Sequence, residues 1–160
     1  MDTIKIGIFG LGRGGGFNDN IIGNNGKIVA MCDRDKNKYD EACEGLEEKP
    51  AYYSDFDEFI NHDMDAVFLA NCFNEHTEFA IKALEKGLHV LSECMSNVTM
   101  AEGVALVRAA EKSKGFFMLA ENYPFMKFNQ EMRKVYQSGV LGKALFAEGE
   151  YNHPILNQDD

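Results

Sequence analysis

The sequence predicts a doubly wound α/β fold built on a parallel sheet. Three observations carry that prediction. Short apolar runs alternate with longer amphipathic stretches along most of the 160 residues. The runs are continuously apolar rather than alternating, which suits strands covered on both faces. A glycine-rich turn follows the first run directly.

The strands come first. Ile4-Lys5-Ile6-Gly7-Ile8-Phe9 opens the chain, and Lys27-Ile28-Val29-Ala30-Met31-Cys32 follows. Ala66–Ala70, His89–Ser92 and Phe116–Ala120 repeat the pattern, and a short strand fits around Ala51-Tyr52-Tyr53. Helices fit the intervals. Glu75 to Lys86 places Phe79, Ile81, Ala83 and Leu84 on an apolar side, with Gly87 as its C′ stop. Thr99 to Lys114 opens with the capping-box spacing Thr99-Met100-Ala101-Glu102 and ends near Gly115. Ser54 to Asn61 and Phe128 to Ser138 read as two more helices, the second closed by Gly139. Ala144 to Tyr151 reads as one further strand with no helix after it. Such a strand needs neighbours to bury an apolar face. It is therefore expected to begin a second sheet lying beyond these residues; the alternative is an added edge strand of the first.

Composition narrows the function. Twenty-six acidic residues against sixteen basic ones give a net charge of −10. A nucleic-acid backbone or an anionic membrane would need a basic face, so neither is expected as a partner. No run approaches the roughly 20 apolar residues of a membrane span. The amino terminus has no signal-peptide pattern, so a cytoplasmic location is expected. Cys32, Cys43, Cys72 and Cys94 form no C-x-x-C pair, so neither disulfides nor a metal site is expected, and most should be buried apolar residues.

The glycine turn reads Gly10-Leu11-Gly12-Arg13-Gly14-Gly15, a G-x-G-x-x-G pattern straight after a strand. This is the arrangement that opens a Rossmann dinucleotide-binding domain. Gly10 would permit the tight turn, and Gly12 the approach of a pyrophosphate to the backbone. Gly15 would let the next helix lie close to the strand, with N–H groups facing the phosphates. That helix is weakly encoded, since residues 17–24 are rich in Asn and Gly. Asp33 ends the second strand 21 residues after Gly12, where a carboxylate can accept hydrogen bonds from ribose hydroxyls. It favours NAD over NADP, although Arg34 beside it can hold a 2′-phosphate. An ordinary polar strand end and a methyltransferase ribose site are the alternatives for this pair.

In order and spacing, the chain resembles the Gfo/Idh/MocA oxidoreductases, the relatives of glucose–fructose oxidoreductase and inositol dehydrogenase. The resemblance rests on residues 6–12, 29–35, 65–70 and 74–84, and on Gly87-Leu88-His89-Val90-Leu91-Ser92-Glu93. It continues in Ala120-Glu121-Asn122-Tyr123-Pro124 and Ser138–Lys143. It implies a Rossmann domain over residues 1–122 and, over 123–160, a linking helix and the start of a second, substrate-binding α/β domain. Sugars, polyols and nucleotide sugars are the implied substrates, and self-association is implied only where the second domain is present. The resemblance also implies that Asn71, Cys72, Phe73 and His76 lie along the cofactor toward nicotinamide. Glu93 would lie near the nicotinamide ribose, and Asn122 near the nicotinamide end.

One departure matters. The family usually reads Glu-Lys-Pro where this chain reads Glu93-Cys94-Met95. A lysine ammonium can stabilise an alkoxide and relay its proton, whereas a thiol is shorter and a weak donor. No catalytic acid–base residue is assigned, and His153, His62 and His89 read as surface or structural histidines. Tyr123 either meets substrate or packs. The expected activity is hydride transfer from a carbohydrate hydroxyl carbon to NAD(P), with the 160 residues alone binding cofactor and turning over little. The alternatives are a redox-neutral glycosidase that retains NAD, a non-catalytic NAD-binding module, and an interaction fragment pairing through its last strand.

Overall fold

The structure, a computed structural model, describes residues 2–150 and 152. The chain divides into two compact units, Met1–Glu121 and Asn122–Asp160. The first unit holds six strands: β1 (Ile4–Phe9), β2 (Gly26–Cys32), β3 (Ala51–Tyr53), β4 (Ala66–Leu69), β5 (His89–Ser92) and β6 (Phe117–Leu119). They pair in parallel in the order β3-β2-β1-β4-β5-β6. The order reverses between β1 and β4, so a crevice opens at the carboxyl ends of those two strands.

Helices cover the sheet. They are α1 (Leu11–Gly14), α2 (Asn18–Gly23), α3 (Lys36–Ala42), α4 (Phe56–Phe59), α5 (His76–Glu85) and α6 (Met100–Lys112). Side chains alternate between two cores. Phe9, Val67, Leu69 and Val90 point to α4, α5 and α6, where Phe56, Phe59, Ala80, Leu84 and Leu106 meet them. Ile8, Ile28, Met31 and Phe68 point the other way, toward Leu11, Tyr39 and Cys43. Gly7 keeps β1 close to its cover, because a Cβ there would stand 2.6 Å from both Met64 Sδ and Phe59 Cζ.

Several sequence expectations hold in detail. Thr99 caps α6 in a full capping box with Glu102. Gly87 takes φ 80°, and Gly87 and Leu88 donate to the Leu84 and Ala83 carbonyls, closing α5 in a Schellman motif. Helix ends shift: Asp55 caps a helix of only four residues, and a 3₁₀ turn, Phe73–Glu75, precedes α5.

Other expectations need correction. Helix α3 was not anticipated. Its apolar positions Tyr39, Ala42, Cys43 and Leu46 have helical spacing, but the surrounding Lys, Asn, Asp and Glu mask it. Double cover fails at β5 and β6, where Leu91 and Met118 are 38% and 49% exposed. Their apolar runs therefore do not report cover on both faces. Two of the four cysteines, Cys72 and Cys94, are exposed. His62 is half-buried rather than on the surface, its Nδ1 lying 3.0 Å from the Tyr53 hydroxyl.

The second unit holds a 3₁₀ turn, Tyr123–Phe125, and helix α7 (Lys127–Gln137). Asn129 Nδ2 donates to the Tyr123 carbonyl at 2.7 Å. Residues 144–150 form no strand, against expectation. Among the described residues the segment pairs with no other strand, and a single strand does not form alone. Tyr151 and His153 lie outside the described residues.

Candidate functional site

The crevice at the reversal point is a cleft of about 360 Å³. Gly10, Gly12 and Arg13 of the glycine turn line one wall, and Asp33, Arg34, Asp35 and Lys38 line another. Ala70, Asn71, Cys72 and Glu75, beyond β4, complete it. A larger groove of about 640 Å³ lies between α5 and α6, lined by the ends of those helices just before β5 and β6 and away from the glycine turn.

The turn is fixed by its surroundings. Gly10 has φ 89°, and a Cβ on it would stand 2.3 Å from the Asn71 backbone nitrogen. Its N–H donates to the Cys32 carbonyl, tying the turn to β2. At Gly12 a Cβ would meet nothing closer than Lys38 Nζ at 3.6 Å, so that side of the turn opens into the cleft. Gly14, not Gly15, makes the close approach to β1. A Cβ on Gly14 would reach Ile8 Cγ2 at 2.7 Å, whereas one on Gly15 would face Ala42 of α3 at 3.0 Å. The following helix is broken, as its composition suggested: four residues, a 3₁₀ turn Gly15–Phe17, then six more. Its dipole is correspondingly small, so discrete N–H groups matter more than the macrodipole.

Asp33 is partly buried at the end of β2. One oxygen accepts the Leu11 N–H at 2.8 Å and the other the Asp35 N–H at 3.0 Å. The N–H groups of Gly12 and Arg13 have no acceptor among the described residues. Two open N–H groups beside a glycine without a Cβ make a cradle that fits a phosphate. Arg34 extends outward, with Nη2 3.9 Å from Glu75 Oε2.

Beyond β4 the site changes character. Asn71 Oδ1 is buried and accepts no hydrogen bond from the described residues, an open acceptor facing its surroundings. Cys72 and Phe73 are exposed beside it. His76 is 2% exposed, and its Nδ1 and Nε2 lie 3.0 and 3.2 Å from the Met95 and Asn71 carbonyls. The ring thus sits between two backbone carbonyls, and His76 clasps the loops after β4 and β5 together. Glu93 accepts from Arg13 Nε at 3.0 Å, which joins the glycine turn to the loop after β5.

Cys94 Sγ donates to Glu121 Oε2 at 3.2 Å, and the Cys94–Met95 peptide is cis. Burial, then the hydrogen bond and charge of Glu121, then Glu93, push the Cys94 thiol above its ordinary pKa. A neutral thiol at this point supplies no cation for a developing alkoxide. Asn122 belongs to the other unit, where its carbonyl accepts the Phe125 N–H. Sequence reasoning missed Lys38, Asp35 and Glu75 in the cleft. The Asp35 cap and the helical spacing from Tyr39 to Leu46 were the signals that place Lys38 there.

Comparison with known proteins identifies the family and the fold. The Gfo/Idh/MocA family, described as an oxidoreductase family with an NAD-binding Rossmann fold, matches residues 4–121. Glycosyl hydrolase family 109 protein 1 of Phocaeicola vulgatus is 31% identical over 97% of this chain and 35% of its own length. The protein of that name from Bacteroides fragilis (strain YCH46) is 32% identical over 97% of the chain and 36% of its own. The chain therefore spans about a third of these relatives. Among solved structures, scyllo-inositol dehydrogenase from Lactobacillus casei with bound NAD(H) and scyllo-inositol superposes with a TM-score of 0.74. It is 27% identical over 88% of this chain and 43% of that one. Myo-inositol 2-dehydrogenase from Lactobacillus plantarum, at 23% identity, shares the fold with a TM-score of 0.79 over 89% of this chain and 43% of that one.

Proposed function

The chain belongs to the Gfo/Idh/MocA oxidoreductases with an NAD-binding Rossmann fold, and from that premise we propose that it is the cofactor-holding part of an enzyme acting on carbohydrate hydroxyls. The boundary between that part, residues 1–122, and the start of a substrate part, residues 123–160, belongs to the same reading. The observation that carries it is the cleft, where the open N–H groups of Gly12 and Arg13 face the same space as the Asp33 carboxylate. The Gly10–Gly15 turn would hold the pyrophosphate of NAD. Asp33 would accept from the adenosine ribose, since each of its oxygens keeps a lone pair beyond its backbone bond. Asn71, Cys72, Phe73 and Glu93 would follow the cofactor toward nicotinamide. His76 and Cys94 would shape that end, and Asn122 would approach it. When bound, NAD supplies a carbon that takes up or returns a hydride.

The protein's own residues would orient the dinucleotide and exclude water. The hydroxyl proton needs a base that Cys94, a weak and neutral donor, does not replace. The same base is needed in a second reading, in which the hydride would be returned within each cycle and a glycosidic bond cleaved. What favours that reading is the name of the curated relatives, glycosyl hydrolase family 109.

The test supplies the protein and NAD with free inositols and sugars, and separately with chromogenic glycosides. Net NADH formation from a free polyol supports the first reading. Aglycone release that needs NAD but accumulates no NADH supports the second. Failure to bind NAD at all would end both.

A further inference from the structure

We propose that Lys38 is a pyrophosphate-binding residue, reaching from α3 to close the phosphate cradle opposite the glycine turn; this rests on the NAD-binding reading above.

Placement comes first. Asp35 caps α3 by accepting from the Asn37 N–H at 3.0 Å, which fixes the helix at the end of β2. The two lysines of its first turn then diverge. Lys36 Nζ is held by Asp40 at 2.9 and 3.0 Å and lies over the Tyr39 and Tyr52 rings. Lys38 instead lines the cleft, its Nζ 3.6 Å and its Cε 3.9 Å from the point a Cβ on Gly12 would occupy.

Charge decides which cation remains for a ligand. The cleft has three basic side chains. Arg13 is held by Glu93 at 3.0 Å, and Arg34 faces Glu75 at 3.9 Å. Lys38 has no ion-pair partner among the described residues; Asp33, which also lines the cleft, is not paired with it and accepts a backbone N–H on each oxygen. An anion beside Gly12 would therefore meet the Gly12 and Arg13 N–H groups on one side and an uncommitted ammonium on the other. An ammonium is a strong point-charge donor to phosphate oxygens. The same pocket without Lys38 would hold the anion through backbone alone.

The test titrates the chain with NADH, ADP, adenosine and NADPH at low and moderate salt, as wild type, Lys38→Met and Lys38→Arg. Lys38 is exposed, so the variants keep the thermal melt of the parent. Lys38→Met should weaken NADH, ADP and NADPH alike by about 5- to 10-fold. It should leave adenosine unchanged and flatten the salt dependence, and Lys38→Arg should restore most of the loss. Wild-type affinity for NADH in Lys38→Met would overturn the assignment alone. A loss confined to NADPH would also overturn it, by moving Lys38 to the 2′-phosphate. A parent chain that binds neither NADH nor ADP would overturn the cofactor reading and this assignment together.

Discussion

The two halves of the cleft are built on different terms. The half formed by β1, β2 and the glycine turn is held through backbone N–H groups: Gly10 donates to the Cys32 carbonyl of β2, and Leu11 and Asp35 donate to the Asp33 carboxylate. The half beyond β4 and β5 is held by side chains: His76 between two carbonyls, Arg13 on Glu93, and Cys94 on Glu121. That half tolerates little substitution in its backbone and asks for one side chain, the Asp33 carboxylate. The side-chain half is where a lysine can give way to Cys94 while the fold persists.

The contrast between Gly10 and Gly12 breaks the comparison most sharply. Gly10→Ala should cost more than about 3 kcal/mol, because a Cβ would press on the Asn71 backbone at a positive φ. Gly12→Ala should leave the melt nearly unchanged, since its Cβ would enter open cleft. Equal melting temperatures for the two variants would contradict the distinction. In the other half, His76→Leu should destabilise by about 2–4 kcal/mol, by removing the buried polar ring that spans the loops after β4 and β5. Chemical denaturation checks it, and a neutral effect would remove His76 as the clasp.

The pH response of Cys94 is a smaller effect. Its thiol pKa is raised, so the midpoint of its alkylation rate against pH should lie above the ordinary value of 9.0. Glu121→Gln removes one cause of that rise, so the midpoint of the alkylation rate should move down. A midpoint that does not move would exclude the Glu121 contact. Smallest is Thr99→Ala, which removes the capping box of α6 and should cost about 1 kcal/mol in urea denaturation.

The same contrast governs what the sequence discloses. The glycine turn and Asp33 are legible because their spacing is dictated by backbone geometry at a strand end. The capping box at Thr99 and the Gly87 stop are legible for the same local reason. Gly14 was not distinguished from Gly15, because which glycine meets β1 depends on the three-dimensional path of a broken helix. The helix carrying Lys38 was hidden by its charged residues, although Tyr39, Ala42, Cys43 and Leu46 held the period. The bare face at Leu91 and Met118 was not legible, because an apolar run records hydrophobicity and not which neighbour covers it. Residues 144–150 show the limit of local pattern: their strand-like sequence pairs with no strand among the described residues, and none forms.

The central claim is that the backbone-built half holds a dinucleotide by itself, and calorimetric titration of this chain and of Gly12→Val with NADH tests it most directly. The account predicts saturable one-to-one binding by the parent and loss of about 100-fold or more in the variant, whose cradle is filled, at an unchanged melt. Equal affinity in the two proteins, or no saturable binding by the parent, would contradict it.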